Sequence, residues 1–175
     1  MRFAHIYRMK PDTIANVVGA FAQAVVDGVQ GAVSDGSAPQ AAAALVHLSK
    51  YAGEPIDALR SPLRLSHPGC VRVVDRLEQR RLVVRGEGDD RRARPLRLTP
   101  AGASAAKTVL RRRQVALRRA LAVLTPHEQQ QLGRLVGKAL SALVEDEAQA
   151  LAVCRVCDYG VCPDADCPVA KALAP

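Results

Sequence analysis

The chain has 175 residues, 49% of them hydrophobic but only 3% aromatic and none Trp, so its core has to be built from Ala, Leu and Val. Leucine and alanine favour helices. The formal net charge of +8 is unevenly spread: residues 60–120 hold 17 Lys and Arg against 5 Asp and Glu, while the remainder holds 8 against 12.

A positive field focused on one segment suits a phosphate backbone, whereas evenly mixed charge would serve only solubility. That segment lacks base-stacking aromatics, which disfavours single strands and RNA. The opening MRFAHIYRMK has no apolar stretch long enough for a secretory signal, and no run of about 18 apolar residues occurs anywhere. A cytoplasmic protein without a membrane partner is therefore expected, and in that compartment clustered cysteines point to a metal or a redox switch before a structural disulfide.

Ile14, Val18, Phe21, Val25, Val29 and Ala32 mark one stripe of a long first helix, led by Pro11-Asp12 and ended by Asp35-Gly36. A second helix runs from Pro39 to about Tyr51. Gly53-Glu54-Pro55 breaks the chain before Ile56, Ala58, Leu59, Leu63 and Leu65, the first helix of a helix-turn-helix. Pro62 removes a donor there and clashes with the preceding turn, so this helix should be short, kinked or restarted at Ser61.

The next helix is expected to start at Ser66, whose hydroxyl can accept from an open first-turn N–H, with Pro68 tolerated beside it. Cys70, Val73, Val74 and Leu77 form its inward face. Cys70 there reads as a small buried hydrophobe. The outward face carries His67, Val71, Arg72, Arg76 and Arg80. Leu82-Val84 give a short strand, GEGDDRRAR a charged turn, and Pro95-Leu98 a second strand closing at Thr99-Pro100. A helix with an arginine-bearing face beside an arginine-tipped hairpin suits double-stranded DNA, the helix in a major groove and the tip in a neighbouring minor groove.

Pro100 to Leu124 reads as a long helix with Arg111, Arg112, Arg113, Arg118 and Arg119 on nearly every turn. These arginines form either a solvated face or part of the phosphate-attracting field. Thr125-Pro126-His127-Glu128 is a capping box that opens a last helix reaching about Val153. Its stripe of Leu132, Leu135, Val136, Ala139, Leu140, Leu143, Val144 and Leu151 is too wide for one neighbour within the chain. It reads as a homodimer interface shared with the first helix. His127 reads as a surface residue and His47 as a helix-face residue with no visible partner.

Four of the five cysteines fall within fourteen residues as C-x2-C-x4-C-x4-C: Cys154, Cys157, Cys162 and Cys167. The C-x2-C step lets two thiolates hold one ion, and Gly160, Pro163 and Pro168 supply the turns that bring the other two round. The spacing equals that of a zinc knuckle with its histidine replaced by Cys162, which favours tetrahedral zinc. Cysteine followed by proline, at Cys162 and Cys167, also recurs in iron–sulfur ligation, and a metal-free thiol switch is the third reading.

Leu77-Glu78-x-x-x-Leu82-Val83, then Asp89-Asp90-Arg91-Arg92-Ala93-Arg94, then Leu96-x-Leu98-Thr99-Pro100-Ala101-Gly102, resembles the winged helix-turn-helix of MarR-type bacterial regulators. The resemblance covers roughly residues 12–153. It departs from the family pattern at Pro62 and at Arg81, where a glycine is usual, and the cysteine tail lies outside it. It implies a mostly α fold with a small β wing: a single domain over 1–153, with the winged helix-turn-helix at 55–99 and dimerisation helices at 12–35 and 126–153. Residues 154–168 form an appended cysteine-rich metal-binding tail.

The function expected is a dimeric transcriptional regulator, most simply a repressor, on a pseudo-palindromic operator. Ser66, His67, Val71, Arg72 and Arg76 would meet the major groove, and Arg91, Arg92 and Arg94 the minor groove. Asp90 is implied by the resemblance to pair with a wing arginine and hold the hairpin in shape. Metal or redox change at the tail would bias the dimer geometry. The sequence leaves open whether a small-molecule effector occupies the space between the dimer core and the DNA-binding lobes. The competing reading is a protein-interaction module on a winged-helix scaffold with a structural zinc tail. An enzyme finds no support, since no nucleophile–base pair, phosphate loop or spare ligand position is present.

Overall fold

The structure, a computed structural model, describes residues 9–33, 38–87, 94–162 and 166–173. Helix α1 (Pro11–Val33) lies along α5 (Pro100–Leu121), and between α5 and the helix-turn-helix runs α2 (Pro39–Lys50). Seven consecutive α2 residues, Ala42 to Leu48, are buried. That pattern has no amphipathic period because the helix is covered on two sides. Ala43, Ala44, Leu45 and Leu48 join the main core, while Ala42 and Val46 meet Val109 of α5. The run of alanines lets neighbouring backbones approach closely without a bulky side chain to displace.

The first helix of the helix-turn-helix is divided, as Pro62 dictates. A 3-10 turn spans Ile56–Leu59 and a single α-turn, α3, spans Arg60–Leu63. Arg64 then takes a left-handed conformation with φ 50° and closes α3 through its N–H. Helix α4 (His67–Gln79) follows, with Cys70, Val73, Val74 and Leu77 all 3% exposed or less. Each fully buried side chain of this size contributes about 1.5–3 kcal/mol. Leu59, Leu63, Val83 and Leu96 complete the core that seats α4 against α2 and the wing.

One expectation at this helix fails. The Ser66 side chain makes no capping bond; only its carbonyl is used, accepting from Cys70 N at 3.0 Å. Pro68 takes the second helical position, which leaves the Gly69 N–H as the remaining first-turn donor for a cap hydroxyl, and Ser66 does not engage it.

After α4 the chain turns on Arg81, left-handed with φ 56°, as Arg81 N donates to Glu78 O and Leu82 N to Leu77 O. This turn takes up the residue expected to begin the strand. The strands are therefore β1 (Val83–Arg85) and β2 (Leu96–Leu98), antiparallel, with Val83 opposite Leu98 and Arg85 opposite Leu96. The segment before the helix-turn-helix adds a further rung on the other side of β2, Gly53 N donating to Leu96 O and Leu96 N to Glu54 O.

The Thr-Pro-x-Gly run has a mechanical explanation. Thr99 N donates to Leu82 O, its hydroxyl donates to Arg81 O and accepts from Gly102 N, so one residue caps α5 and ties it to the turn before β1. A Cβ on Gly102 would stand 1.9 Å from Leu82 O, and only glycine permits that approach.

The helix expected over 126–153 is two helices. α6 (Pro126–Ser141) opens with the expected capping box, Thr125 accepting from Glu128 N and Glu128 Oε2 accepting from Thr125 N. The chain breaks through Ala142–Asp146, and α7 (Glu147–Val153) restarts with Asp146 accepting from Gln149 N at 2.7 Å. The stripe looked too wide because it serves two helices. Val144, 6% exposed, is buried in the break, and α7 packs on α3 instead of continuing along α6. A short α8 (Pro168–Ala172) returns to lie on α6. Among the described residues no helix is long and apolar enough to cross a membrane.

Candidate nucleic-acid interface and cysteine loop

The outward face of α4 presents Ser66, Arg72 and Arg76 as exposed residues, with His67 and Val71 half-buried between them and the wing. His67, Val71, Asp75 and Glu78 of α4, Ile56, and Arg85 and Arg94 of the wing line one open groove of about 500 Å³. Of the expected major-groove residues His67 and Val71 line this groove, with Arg94 beside them, while Arg72 and Arg76 stand exposed one turn apart on α4. Arg91, Arg92 and Asp90 lie outside the described residues. Arg76 Nε donates to Arg72 O at 3.2 Å, which steers that guanidinium along the helix.

Three ion pairs that the sequence reading missed orient this face. His67 Nδ1 lies 2.8 Å from Asp57 Oδ1, linking the first turn of α4 to the 3-10 turn. Arg85 of β1 bridges two carboxylates of α4, Asp75 at 2.8 Å and Glu78. The signal for it was in the sequence: Asp75 and Glu78, three apart, share a helix face, and the strand that follows returns a cation to it. Arg85 thereby ties the first strand of the wing to α4.

The buried histidine also differs from expectation. His47 is 3% exposed and its Nε2 lies 2.7 Å from Glu54 Oε2, so it has a partner in the loop that feeds the wing. Cys70 is fully buried on the inner face of α4, where desolvation pushes its thiol pKa up. It is the small hydrophobe expected. His127 is exposed and bonds Gln131.

The arginines of α5 do not share one face. Arg111, Arg112 and Arg119 border a crevice with Gly28 of α1. Arg112 also lines, with Arg80, Ser104, Thr108 and the apolar Leu45, Leu77 and Leu82, a pocket of about 300 Å³ between α2, α4 and α5. Several large apolar side chains stand open: Ile14, Val17, Val18, Phe21 and Val26 on α1, and Leu135 and Val136 on α6.

None of the five cysteines is in a disulfide. Cys154 and Cys157, at the end of α7, hydrogen-bond to each other. That bond, with the Arg113 and Arg155 guanidiniums, draws the Cys157 thiol down to about 6. It raises Cys154, which also feels Cys162 and Cys167. As placed, no three His, Cys, Asp or Glu side chains among the described residues meet at one metal-ligating point. The donor set is nonetheless all thiol, with cationic groups beside it, the chemistry that suits a thiophilic ion. Tyr159 in this loop packs edge-on to Tyr51 at 6.3 Å and carries Lys50 Nζ 3.7 Å above its ring.

The fold is the MarR-like winged helix. A probable transcriptional regulator from Pseudomonas aeruginosa is similar at 28% identity and TM-score 0.56, over 73% of this chain and 97% of that one. The YusO protein of Bacillus subtilis is similar at 24% identity and TM-score 0.63, over 77% and 99%. A MarR family protein of Mycobacterium tuberculosis, solved with salicylic acid, is similar at 23% and TM-score 0.57, over 77% and 99%. No protein-family profile and no curated protein matches the chain.

Proposed function

We propose that this chain is a dimeric, sequence-specific DNA-binding transcriptional repressor that reads a pseudo-palindromic site. The observation that carries the reading is the joint face of α4 and the wing: Arg72 and Arg76 exposed on one helix face, with Arg94 just ahead of β2, the strand paired with the β1 that Arg85 locks to that helix. α4 enters a major groove, the wing reaches the adjacent minor groove, and the exposed apolar faces of α1 and α6 meet a second copy whose α4 lies one DNA turn away. The pocket between α2, α4 and α5 has aliphatic walls and two guanidiniums, a chemistry suited to an aromatic carboxylate effector, in keeping with the salicylic acid of the mycobacterial neighbour. A thiophilic metal on Cys154, Cys157, Cys162 and Cys167 modulates binding. Four thiolates close a tetrahedral site and leave no position for substrate, which fits structure or sensing.

Selection of duplexes from a randomised pool, followed by titration in increasing salt, tests the proposal. Affinity should fall steeply with salt, and Arg72→Ala should weaken the selected duplex by about 1–3 kcal/mol. Binding that ignores both salt and the arginines would favour the protein-interaction reading.

A further inference from the structure

The cysteine loop occupies a joint between two parts of the fold. At its start, α7 packs on α3, and Val156 packs against the core that contains Leu59, Leu63 and Cys70 beneath the reading helix. Tyr159 reaches α2 through Lys50 and Tyr51; the Tyr51 ring lies 4.8 Å from His47, and His47 bonds Glu54, whose carbonyl pairs with β2. At its end, α8 packs on α6: Ser141 Oγ donates to Pro168 O at 2.9 Å, and Val169 is 4% exposed. One end of the loop is thus seated on the lobe of α3 and α4 and the other on α6.

We infer that the four-cysteine loop is a metal-closed clasp, in which a thiophilic centre held by Cys154, Cys157, Cys162 and Cys167 fixes the reading lobe of α3 and α4 against α6. This rests on the metal site of the proposed function and adds where its occupancy acts. Four metal–sulfur bonds would hold the four cysteines at one point and so remove much of the freedom between the end of α7 and the start of α8. Because α7 and α8 are anchored on different elements, that loss of freedom sets the relation between those elements. A tetrathiolate around a divalent ion carries net negative charge, and Arg113, Arg155 and Lys50 stand beside the loop to balance it. The signal therefore travels to the lobe within one protomer, through α3 and the Tyr159–Tyr51–His47 contacts, and needs no prior change at the dimer interface.

The full-length protein, purified without oxygen, should contain about one metal centre per chain, zinc if colourless and an iron–sulfur cluster if brown. Hydrogen exchange is then compared before and after stripping with a chelator, and after returning the same metal. Stripping should speed exchange about tenfold not only in 154–162 but also in 60–66 and 137–141, the two anchorages. Val169→Asp, which keeps every cysteine but unseats α8, should retain the metal while 137–141 no longer responds to it. A protein that neither contains nor takes up zinc or an iron–sulfur cluster overturns the site. Metal-dependent protection confined to the cysteine loop overturns the clasp. Exchange requires no DNA, so a failure of the duplex-binding reading shows separately, as absent affinity for selected duplexes in stripped and loaded protein alike.

Discussion

Arg85 Nη2 in the first strand of the wing lies 2.8 Å from Asp75 Oδ1 in the third turn of the reading helix, and Nη1 of the same guanidinium pairs with Glu78. A two-stranded hairpin on its own is marginal in water. The bridge ties it to α4, so that in the proposed reading the wing and the helix would meet DNA as one surface. Arg85→Ala should cost about 1 kcal/mol of stability, because the pairs are partly screened, and should weaken selected duplexes about tenfold. Thermal unfolding and duplex titration check the two effects. Equal losses of affinity for selected and random duplexes would mean that Arg85 serves only as charge.

Glycine and arginine have opposite roles on either side of the wing. Gly102→Ala places a methyl 1.9 Å from Leu82 O, and the backbone of α5 must move to relieve it. The expected loss is about 2–4 kcal/mol, read as a lowered midpoint in urea unfolding. Arg81 holds a left-handed conformation that favours glycine, so Arg81→Gly should stabilise by roughly 0.5–1 kcal/mol once the added freedom of the unfolded chain is set against the relief.

Much of this architecture was legible in the residues because its signals are local. Pro62 announced a divided helix, Thr125 and Glu128 a cap, and Leu-Thr-Pro-x-Gly a strand-to-helix joint. What could not be read depended on contacts between distant segments. The stripe from Leu132 to Leu151 has one helical period, yet Asp146 caps a new helix within it, since burial of Val144 and packing of α7 on α3 outweigh continuation. His47 looked unpartnered because Glu54 becomes its neighbour only after α2 ends and the chain turns back. Ser66 reads as a cap because hydroxyl preference is a property of one residue, whereas the bond also depends on how the side chain meets the first turn, where Pro68 leaves only the Gly69 N–H to give.

The start of α6 gives a pH-dependent contribution of known sign. Glu128 accepts from the Thr125 backbone N–H and hydroxyl, and these bonds hold its carboxyl below the usual carboxylate range. A group whose folded pKa is depressed stabilises the fold above its unfolded pKa, about 4.3 for Glu, and the contribution fades as pH falls through the folded value. Wild type should therefore melt above Glu128→Gln at pH 7, with the gap closing below about pH 4. A gap that persists in acid would assign the effect to the side chain's shape and not its charge.

The open faces of α1 and α6 are the final point at which sequence and structure meet. Val18 is 59% exposed, Phe21 44%, Leu135 62% and Val136 50%, and large apolar groups left uncovered along two helices mark an interaction surface. A second copy covers them most economically, because a two-fold interface uses one patch twice. Phe21→Asp with Leu135→Asp places charge on both faces without touching α4, the wing or the cysteine loop. Sedimentation should then report monomers where the wild type reports dimers. Affinity for a selected palindromic duplex should fall by about two orders of magnitude, since each half-site must be bound without the help of the other. Affinity for a single half-site should stay within about twofold, because the reading surface lies within one protomer. A double variant that remains dimeric, with palindrome binding intact, would place the interface on another surface of the molecule.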